Sequence, residues 1–317
     1  MEKPTIEPKA SIIMPAYNAG GTIRRAIESV LAQTEPAIEL VVCNDASNDD
    51  TLKVIESIND PRIKLIKNSV NSGPGAARDR AISAASAPWI ALMDADDAWH
   101  PSRLQHLLAV ANEAEDVMVF DDIMTCHDVN GELIPWRSVH GARAFGNAEV
   151  PAAFGVERYL ASPRLLIKPL IPARLIRQSG LKHSNKRFGE DAEFFLRLAA
   201  AGCRFKYVPK ALYFYRVAAG SATGQNRDHS VMRKMLESCR EEHDWPVQAD
   251  AAFARKISRL HADEAIYKAA EELSNRQPFR AVCTLATNPR ALIQLPNRTW
   301  RRFRYEISRR RHGAAQR

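Results

Sequence analysis

The 317-residue sequence predicts an α/β fold: a mostly parallel sheet with helices on both faces, followed by a helical C-terminal extension. Three observations carry that prediction. In the first hundred residues short apolar runs alternate four times with helical patterns, the rhythm of parallel strands joined by crossover helices. The fourth run, Trp89-Ile90-Ala91-Leu92-Met93, stops at the acids Asp94, Asp96 and Asp97, at the end of a sheet where open α/β folds bind ligands. From about residue 229 the pattern is helical to the end, with Ala, Glu, Lys and Arg abundant between Ala249 and Arg276.

Each element has a local reason. Ser11-Ile12-Ile13-Met14 is an apolar run stopped by Pro15 and followed by Asn18-Ala19-Gly20-Gly21, a buried strand entering a turn. Ile23, Ala26, Ile27, Val30 and Leu31 recur at the spacing of a helix lying on a sheet. Glu39 to Cys43 is the second strand, and Asp49 and Asp50 stand where they cap a helix carrying Leu52, Ile55 and Ile58. Ile63 to Ile66 is the third strand, Gly75 to Ala85 an Ala-rich helix, and residues 89 to 93 the fourth strand. This half is Rossmann-like in architecture, yet Pro15-Ala16-Tyr17-Asn18 follows the first strand where a dinucleotide enzyme carries Gly-x-Gly-x-x-Gly, which argues against an NAD enzyme. Residues 116 to 217 read as loop-rich, with an apolar stretch at Val117 to Phe120, a helix from Asp191 to Ala201 and a final strand from Leu212 to Val217.

Composition bounds the class. With 45% hydrophobic residues the chain can bury a large core. The net charge of +8 belongs almost wholly to residues 298 to 317, where eight arginines face the single acid Glu306, so the charge marks a tail and not a nucleic-acid groove. Five widely spaced cysteines show no Cys-x-x-Cys and suggest neither a zinc site nor a disulfide framework. No signal peptide and no run of about 18 apolar residues is visible. The expected location is cytoplasmic, at most peripheral on the cytoplasmic face of the inner membrane.

An acidic cluster at a strand end asks for a cation. Hard divalent ions, Mg²⁺ or Mn²⁺, take one or two carboxylates and share themselves with substrate phosphates. Taken alone, the cluster fits an acidic turn before a helix equally well, since Ser102 opens a new helical pattern. Four segments together decide between the two: Ser11 to Asn18, Val41 to Thr51, Asn71 to Arg78, and Ala91 to Pro101. In that order and spacing they resemble the nucleotide-sugar half of glycosyltransferase family 2, the inverting GT-A enzymes.

The resemblance implies that Pro15, Ala16 and Tyr17 border a uracil, that Asp45 accepts from its ring N–H, and that Arg78 reaches the base or phosphates. It further implies that Asp94 contacts the ribose and that Asp96 holds the metal bridging the diphosphate, while Asp97 serves the following helix. A carboxylate suits an imide N–H and a guanidinium suits phosphate oxygens; the plainer readings are an Asx-turn for Asp45 and a solvated helix face for Arg78. In the second half Phe188-Gly189-Glu190-Asp191 precedes an amphipathic run, where the helix dipole alone favours acids. The family match makes Asp191 the base that deprotonates the acceptor and Glu190 a group that orients it. The segment Tyr213-Phe214-Tyr215-Arg216 resembles the one that approaches the phosphates in many members. The polymerase signature Gln-x-x-Arg-Trp is absent, which favours single-sugar addition. No histidine set has defensible metal spacing, and surface or satisfied core histidines are the better reading of each, His183 included.

Trp300, Phe303 and Ile307 share one helical face among the tail arginines, the make-up of a helix in an anionic bilayer interface; a solvated tail is the alternative. The expected organisation is a GT-A catalytic domain over residues 1–228, with a nucleotide-sugar half at about 8–115 and an acceptor half at about 116–228, then a helical region over 229–317. Overall the chain most resembles succinoglycan-type glycosyltransferases. That implies metal-dependent transfer of one sugar from a UDP-sugar, UDP-glucose first, to a glycan or polyprenyl-diphosphate-linked acceptor in exopolysaccharide synthesis. The rival is a non-catalytic partner subunit, which predicts a damaged acid set; Asp45, Asp94, Asp96 and Asp191 are intact.

Overall fold

A computed structural model describes residues 7–112, 115–141, 145, 152–186, 189–217, 229–275, 277–288 and 290–291. The arginine-rich segment 298–317, with the interfacial helix expected there, lies outside the described residues. Strands β1 (Ala10–Ala16), β2 (Ile38–Asn44) and β4 (Trp89–Leu92) are buried along almost their whole length, as parallel strands covered on both faces must be. β3 (Ile63–Lys67) pairs with β2 at the edge. Between them run α1 (Ile23–Leu31), α2 (Thr51–Glu56) and α3 (Pro74–Ser83). α1 buries Ile23, Ala26, Ile27 and Val30, the stripe its spacing predicts. α3 opens on Gly73, left-handed at φ +87°, and on Pro74, whose missing N–H costs nothing in a first turn.

The second half adds β5 (Ala98–Trp99), β6 (Val117–Val129), β7 (Glu132–Ser138), β8 (Leu170–Pro172) and β9 (Arg204–Val217). The sheet runs β3-β2-β1-β4-β8-β6-β9-β5, with β7 paired to β6. β3, β2, β1 and β4 are mutually parallel, as are β6 and β9, while β8, β5 and β7 pair antiparallel. Alternate residues serve two layers. Ile13, Val41 and Cys43 face one apolar cluster with Ala77 and Ala81 of α3; Ile12, Met14, Leu40 and Val42 face another with α1 and with Leu104 and Leu107 of α4 (Arg103–Leu108). The remaining helices are α5 (Val156–Ala161), α6 (Ala173–Ser179), α7 (Glu190–Ala200), α8 (His229–Glu241), α9 (Val247–Ser274) and α10 (Pro278–Ala286). Phe194 and Phe195 of α7, Leu236 of α8 and Phe253 and Leu260 of α9 join the first cluster, so the helical C-terminal region shares a core with the sheet. The chain is therefore the expected mixed α/β fold with a C-terminal helical region.

Residues 116–217 are more regular than their sequence suggests. β6 continues nine residues past Phe120, through Asp121, Asp122, Cys126, His127 and Asp128. Those polar residues hide the strand because tertiary partners satisfy them: Asp122 accepts from the backbone of Ile123, His140 and Gly141. β9 begins at Arg204 and not at Leu212; Pro209 and Lys210 interrupt its pattern but are absorbed where the β6–β9 register shifts between Asp121 and Ile123.

Arg103, fully buried, donates to Asp121 at 3.0 Å from Nε and 2.7 Å from Nη2, lies 4.4 Å over the Trp99 ring and also bonds the Lys168 carbonyl. Removing one partner of such a pair leaves an uncompensated buried charge worth about 3–5 kcal/mol. Arg103→Ala is expected to lower unfolding stability by about that amount in urea, with Arg103→Leu/Asp121→Leu recovering much of it; a neutral Arg103→Ala would contradict this placement.

Candidate active site

The strand ends are level. Ala16 lies opposite Asn44 and Ile13 opposite Leu92, so Tyr17, Asp45 and Asp94 leave the sheet along one edge. This is where the strand order reverses between β1 and β4, the crevice in which open α/β sheets bind ligands. Pro15 sits inside β1 opposite Cys43, Ala16 is buried, and Tyr17 is about half exposed at the mouth. The loops after β1 and β2 lace together: Asn18, left-handed at φ +48°, accepts from the Asn48 amide at 2.8 Å, and Asp45 donates its N–H to the Ala16 carbonyl at 2.8 Å.

Asp45 clamps the turn that leads into α3. Its Oδ1 accepts from Asn68 Nδ2 at 2.6 Å and Ser72 Oγ at 2.8 Å, and its Oδ2 from the Gly73 N–H at 2.9 Å, with the Ser72 N–H shared between the two oxygens. Burial alone would raise its pKa; these donors outweigh burial and hold the carboxyl below the ordinary range. Little acceptor capacity is left over, and what remains lies on Oδ2.

Five buried or nearly buried charges occupy the centre of the edge. Arg78 contacts Asp94 through Nη2 at 2.8 Å and, through Nη1, Glu190 at 2.8 Å and Asp191 at 2.9 Å. Lys168 lies 2.6 Å from Asp94 Oδ2 and 2.9 Å from Asp191 Oδ2. Both cations touch both aspartates. Burial opposes every one of these charges, yet the mutual field prevails: Arg78 and Lys168 are held above their usual pKa, Asp94 and Asp191 below theirs. Asp191 sits in the first turn of α7 after the left-handed Gly189, but its side chain reaches across to Lys168, and no side-chain bond caps the helix.

The other two acids of the cluster differ from each other. Asp97 is buried; its Oδ2 accepts from Tyr213 Oη at 2.7 Å and its Oδ1 from the Arg216 N–H at 2.8 Å. Burial, with Asp96 and Asp94 nearby, pushes its pKa well up. It ties β9 to the site and does not cap α4, correcting the expectation from sequence. Asp96 is the outward acid, its side chain 39% exposed and its Oδ2 3.3 Å from Arg216 Nη2. Burial and the Asp94 charge raise its pKa more than Arg216 lowers it, so another cation would be welcome. No group of three or more His, Cys, Asp or Glu among the described residues forms a complete metal cage. One free carboxylate oxygen still fits Mg²⁺ or Mn²⁺, which leave most positions to phosphates and water.

Lys168, His183 and Tyr213 belong to this centre without having been singled out as site residues. Lys168 carried a signal: a lone charge inside the apolar run Leu165-Leu166-Ile167-Lys168-Pro169-Leu170 is either an exposed break or a paired buried ion. Tyr213 was marked only as part of the segment resembling the one that approaches the phosphates, and His183 carried no signal, since its position depends on the packing of α7.

Three comparisons bear on this geometry. The profile described as Glycosyl transferase family 2 matches residues 11–154. The succinoglycan biosynthesis protein ExoO of Rhizobium meliloti (strain 1021) is 30% identical over 302 residues, spanning 93% of this chain and 86% of that protein. An Escherichia coli UDP-Glc:alpha-D-GlcNAc-diphosphoundecaprenol beta-1,3-glucosyltransferase, WfaP, is 42% identical over 96 residues, 30% of this chain and 38% of its own. Among solved structures, residues 1–349 of S. aureus TarS in complex with UDP-GlcNAc superpose with a TM-score of 0.64 at 20% identity, covering 86% of this chain and 79% of that one.

Lys168→Met leaves Arg78 alone against three carboxylates and is expected to destabilise the protein by about 3–5 kcal/mol near neutral pH. Because Asp94 and Asp191 are held below their unfolded pKa, the stabilisation they share with Lys168 is present above the ordinary Asp range and is lost as pH falls. The gap between wild type and Lys168→Met should therefore narrow progressively below about pH 5. A pH-independent gap in urea titrations would contradict the assigned pairing.

Proposed function

The chain belongs to glycosyl transferase family 2, and from that premise we propose that it is an inverting, metal-dependent enzyme that moves one sugar from a UDP-sugar to a lipid-linked oligosaccharide or polysaccharide precursor in exopolysaccharide synthesis. Glucose is the first candidate sugar. The observation that carries the reading is that Asp94 of the donor half and Asp191 of the acceptor half share the same two cations, so a donor's leaving group and an acceptor's hydroxyl would meet at one point. The names of the relatives support the chemistry: ExoO is a succinoglycan biosynthesis protein, and WfaP is named for transfer from UDP-Glc to a diphosphoundecaprenol-linked sugar. The nucleotide in the TarS complex is a UDP-sugar as well.

In this reading Pro15, Ala16 and Tyr17 border the uracil and Asp45 accepts its N–H at Oδ2 while continuing to hold the Ser72 turn. Asp94 faces the ribose. Arg78 ties Asp94 to Asp191 in the free protein, and reaching a phosphate requires it to release one carboxylate. A divalent cation on Asp96 would neutralise the departing diphosphate. Arg216, beside Asp96, adds a second positive group at the same place. Asp191 removes the proton of the acceptor hydroxyl as it attacks the anomeric carbon opposite the leaving group, and Glu190 orients that hydroxyl. The division of labour follows the chain: residues 1–228 are catalytic, with donor and acceptor halves at about 8–115 and 116–228, and residues 229–317 form a helical region whose basic tail rests on an anionic membrane. No helix among the described residues is long and apolar enough to cross one.

Two variants separate the roles. Asp191→Asn should keep UDP affinity within about threefold while lowering the rate of UDP release from UDP-glucose by roughly 10²–10⁴. Asp96→Asn should instead abolish the stimulation of that rate by Mn²⁺. Equal loss of UDP binding in both variants would refute the assignment.

A further inference from the structure

His183 is a buried titratable group that the reaction as described does not use. Its side chain is fully buried and lies on segment 181–186, between α3 and α7. Nδ1 is 2.7 Å from Asp79 Oδ1, and the His183 backbone N–H also donates to the Asp79 carboxylate at 3.1 and 3.2 Å. A carboxylate can only accept, so Nδ1 carries the hydrogen and the neutral ring presents a bare Nε2. The Phe194 ring stacks on the imidazole at 4.1 Å and 12°, fixing its plane. α3 makes room for this approach with Gly75: a Cβ there would stand 2.8 Å from the Ser184 carbonyl and 2.9 Å from His183 Cβ.

The ring held this way points at Asp191. Nε2 lies 3.8 Å from Asp191 Oδ1, the oxygen that also faces Arg78. Among the described residues His183 Nε2 has no hydrogen-bond partner, while Asp191 Oδ1 is ion-paired with Arg78 Nη1 at 2.9 Å. A bare Nε2 and an ionised carboxylate oxygen are both acceptors, so the two, roughly half an ångström beyond hydrogen-bond distance, join only when a proton lies between them, which a small shift then permits. The gap is too short for an intervening water.

From this geometry we propose that His183, oriented by Asp79, is a positioning residue and proton acceptor behind Asp191. The inference rests on Asp191 being the base. A carboxylate that two buried cations hold ionised takes a proton only briefly, and an imidazole is intrinsically the stronger base. The acceptor oxygen forms its bond to the anomeric carbon as the bond from that carbon to the diphosphate breaks, its electron pair leaving with UDP. The acceptor's proton passes to Asp191 and then from Oδ1 to His183 Nε2. The imidazolium, placed between Asp79 and Asp191, keeps its Nδ1 hydrogen on Asp79 and returns the Nε2 proton to solvent through Asp191, whose side chain is 19% exposed, once UDP has left, so the ring ends in the tautomer it began in. The charged groups facing the ring are Asp79 from α3 and Asp191 from α7, and Arg78 stands behind Asp191 as its ion-pair partner.

His183→Asn keeps a donor toward Asp79 but places nothing before Asp191, whereas His183→Gln fills the Nε2 position without being able to hold a proton. Measured as UDP release from UDP-glucose with water as acceptor, both are expected to lower kcat roughly 10- to 100-fold, with KM for UDP-glucose and the circular dichroism spectrum unchanged. The acid limb of the wild-type kcat profile should flatten in both. Wild-type kcat with an intact acid limb in His183→Asn, or a loss confined to KM, overturns the proposal. A second readout needs no turnover: in ¹H–¹³C NMR spectra the ring titration of His183 should move to lower pH in Asp191→Asn, because a facing carboxylate that favours the imidazolium is gone. An unmoved titration overturns the proposal even if the enzyme is active. A wild type that releases no UDP counts against the glycosyltransferase reading, and the NMR titration then still decides whether His183 answers to Asp191.

Discussion

Two buried cations and the three carboxylates around them are the constraint on which this site depends. Arg78 and Lys168 are almost completely enclosed, and neither charge would survive there without Asp94, Glu190 and Asp191. The requirement is mutual, since the two cations hold Asp94 and Asp191 ionised against their burial. Four stretches of chain meet in consequence: α3, the turn after β4, the segment before β8 and the start of α7. The arrangement fixes the register of one half of the protein against the other more tightly than apolar packing would, because a misplaced charge costs several kcal/mol while a misplaced methyl costs about one.

The surroundings supply what this centre needs. Arg103 grips Asp121 and the carbonyl of Lys168, so the segment that carries Lys168 into β8 is anchored from behind. Asp97 draws Tyr213 and the backbone of Arg216 onto the acid cluster, which brings the end of β9 beside Asp96. The Asp45 clamp sets the turn from which α3 and its Arg78 depart. Each tie hides a polar group that would be costly unpaired and also aims a functional side chain.

What the sequence disclosed follows from which forces are local. The four strand-helix units were legible because apolar periodicity and turn residues act over a few positions, and the edge acids were legible because a parallel sheet places its strand ends side by side. The sheet's second half was not. β6 carries Asp121 and Asp122 in mid-strand and Asp128 near its end, and only partners from elsewhere in the chain make that tolerable. Asp97 was misread for the same reason: an acid just before a helix looks like a cap until β9 arrives to claim it. Lys168 and His183 became site residues only when α3 and α7 closed around them, an event written in packing and not in any motif.

The central claim is that this edge is a uridine-nucleotide site completed by a divalent cation, and calorimetric titration of the full chain with UDP, GDP and ADP, in Mn²⁺ and in EDTA, tests it most directly. The account predicts that UDP binds, that Mn²⁺ tightens it, and that GDP and ADP bind at least tenfold more weakly, since a purine does not present an imide N–H to Asp45 in the same position (a factor of about 1.4 kcal/mol). Indifference to both base and metal, or no binding at all, would contradict it.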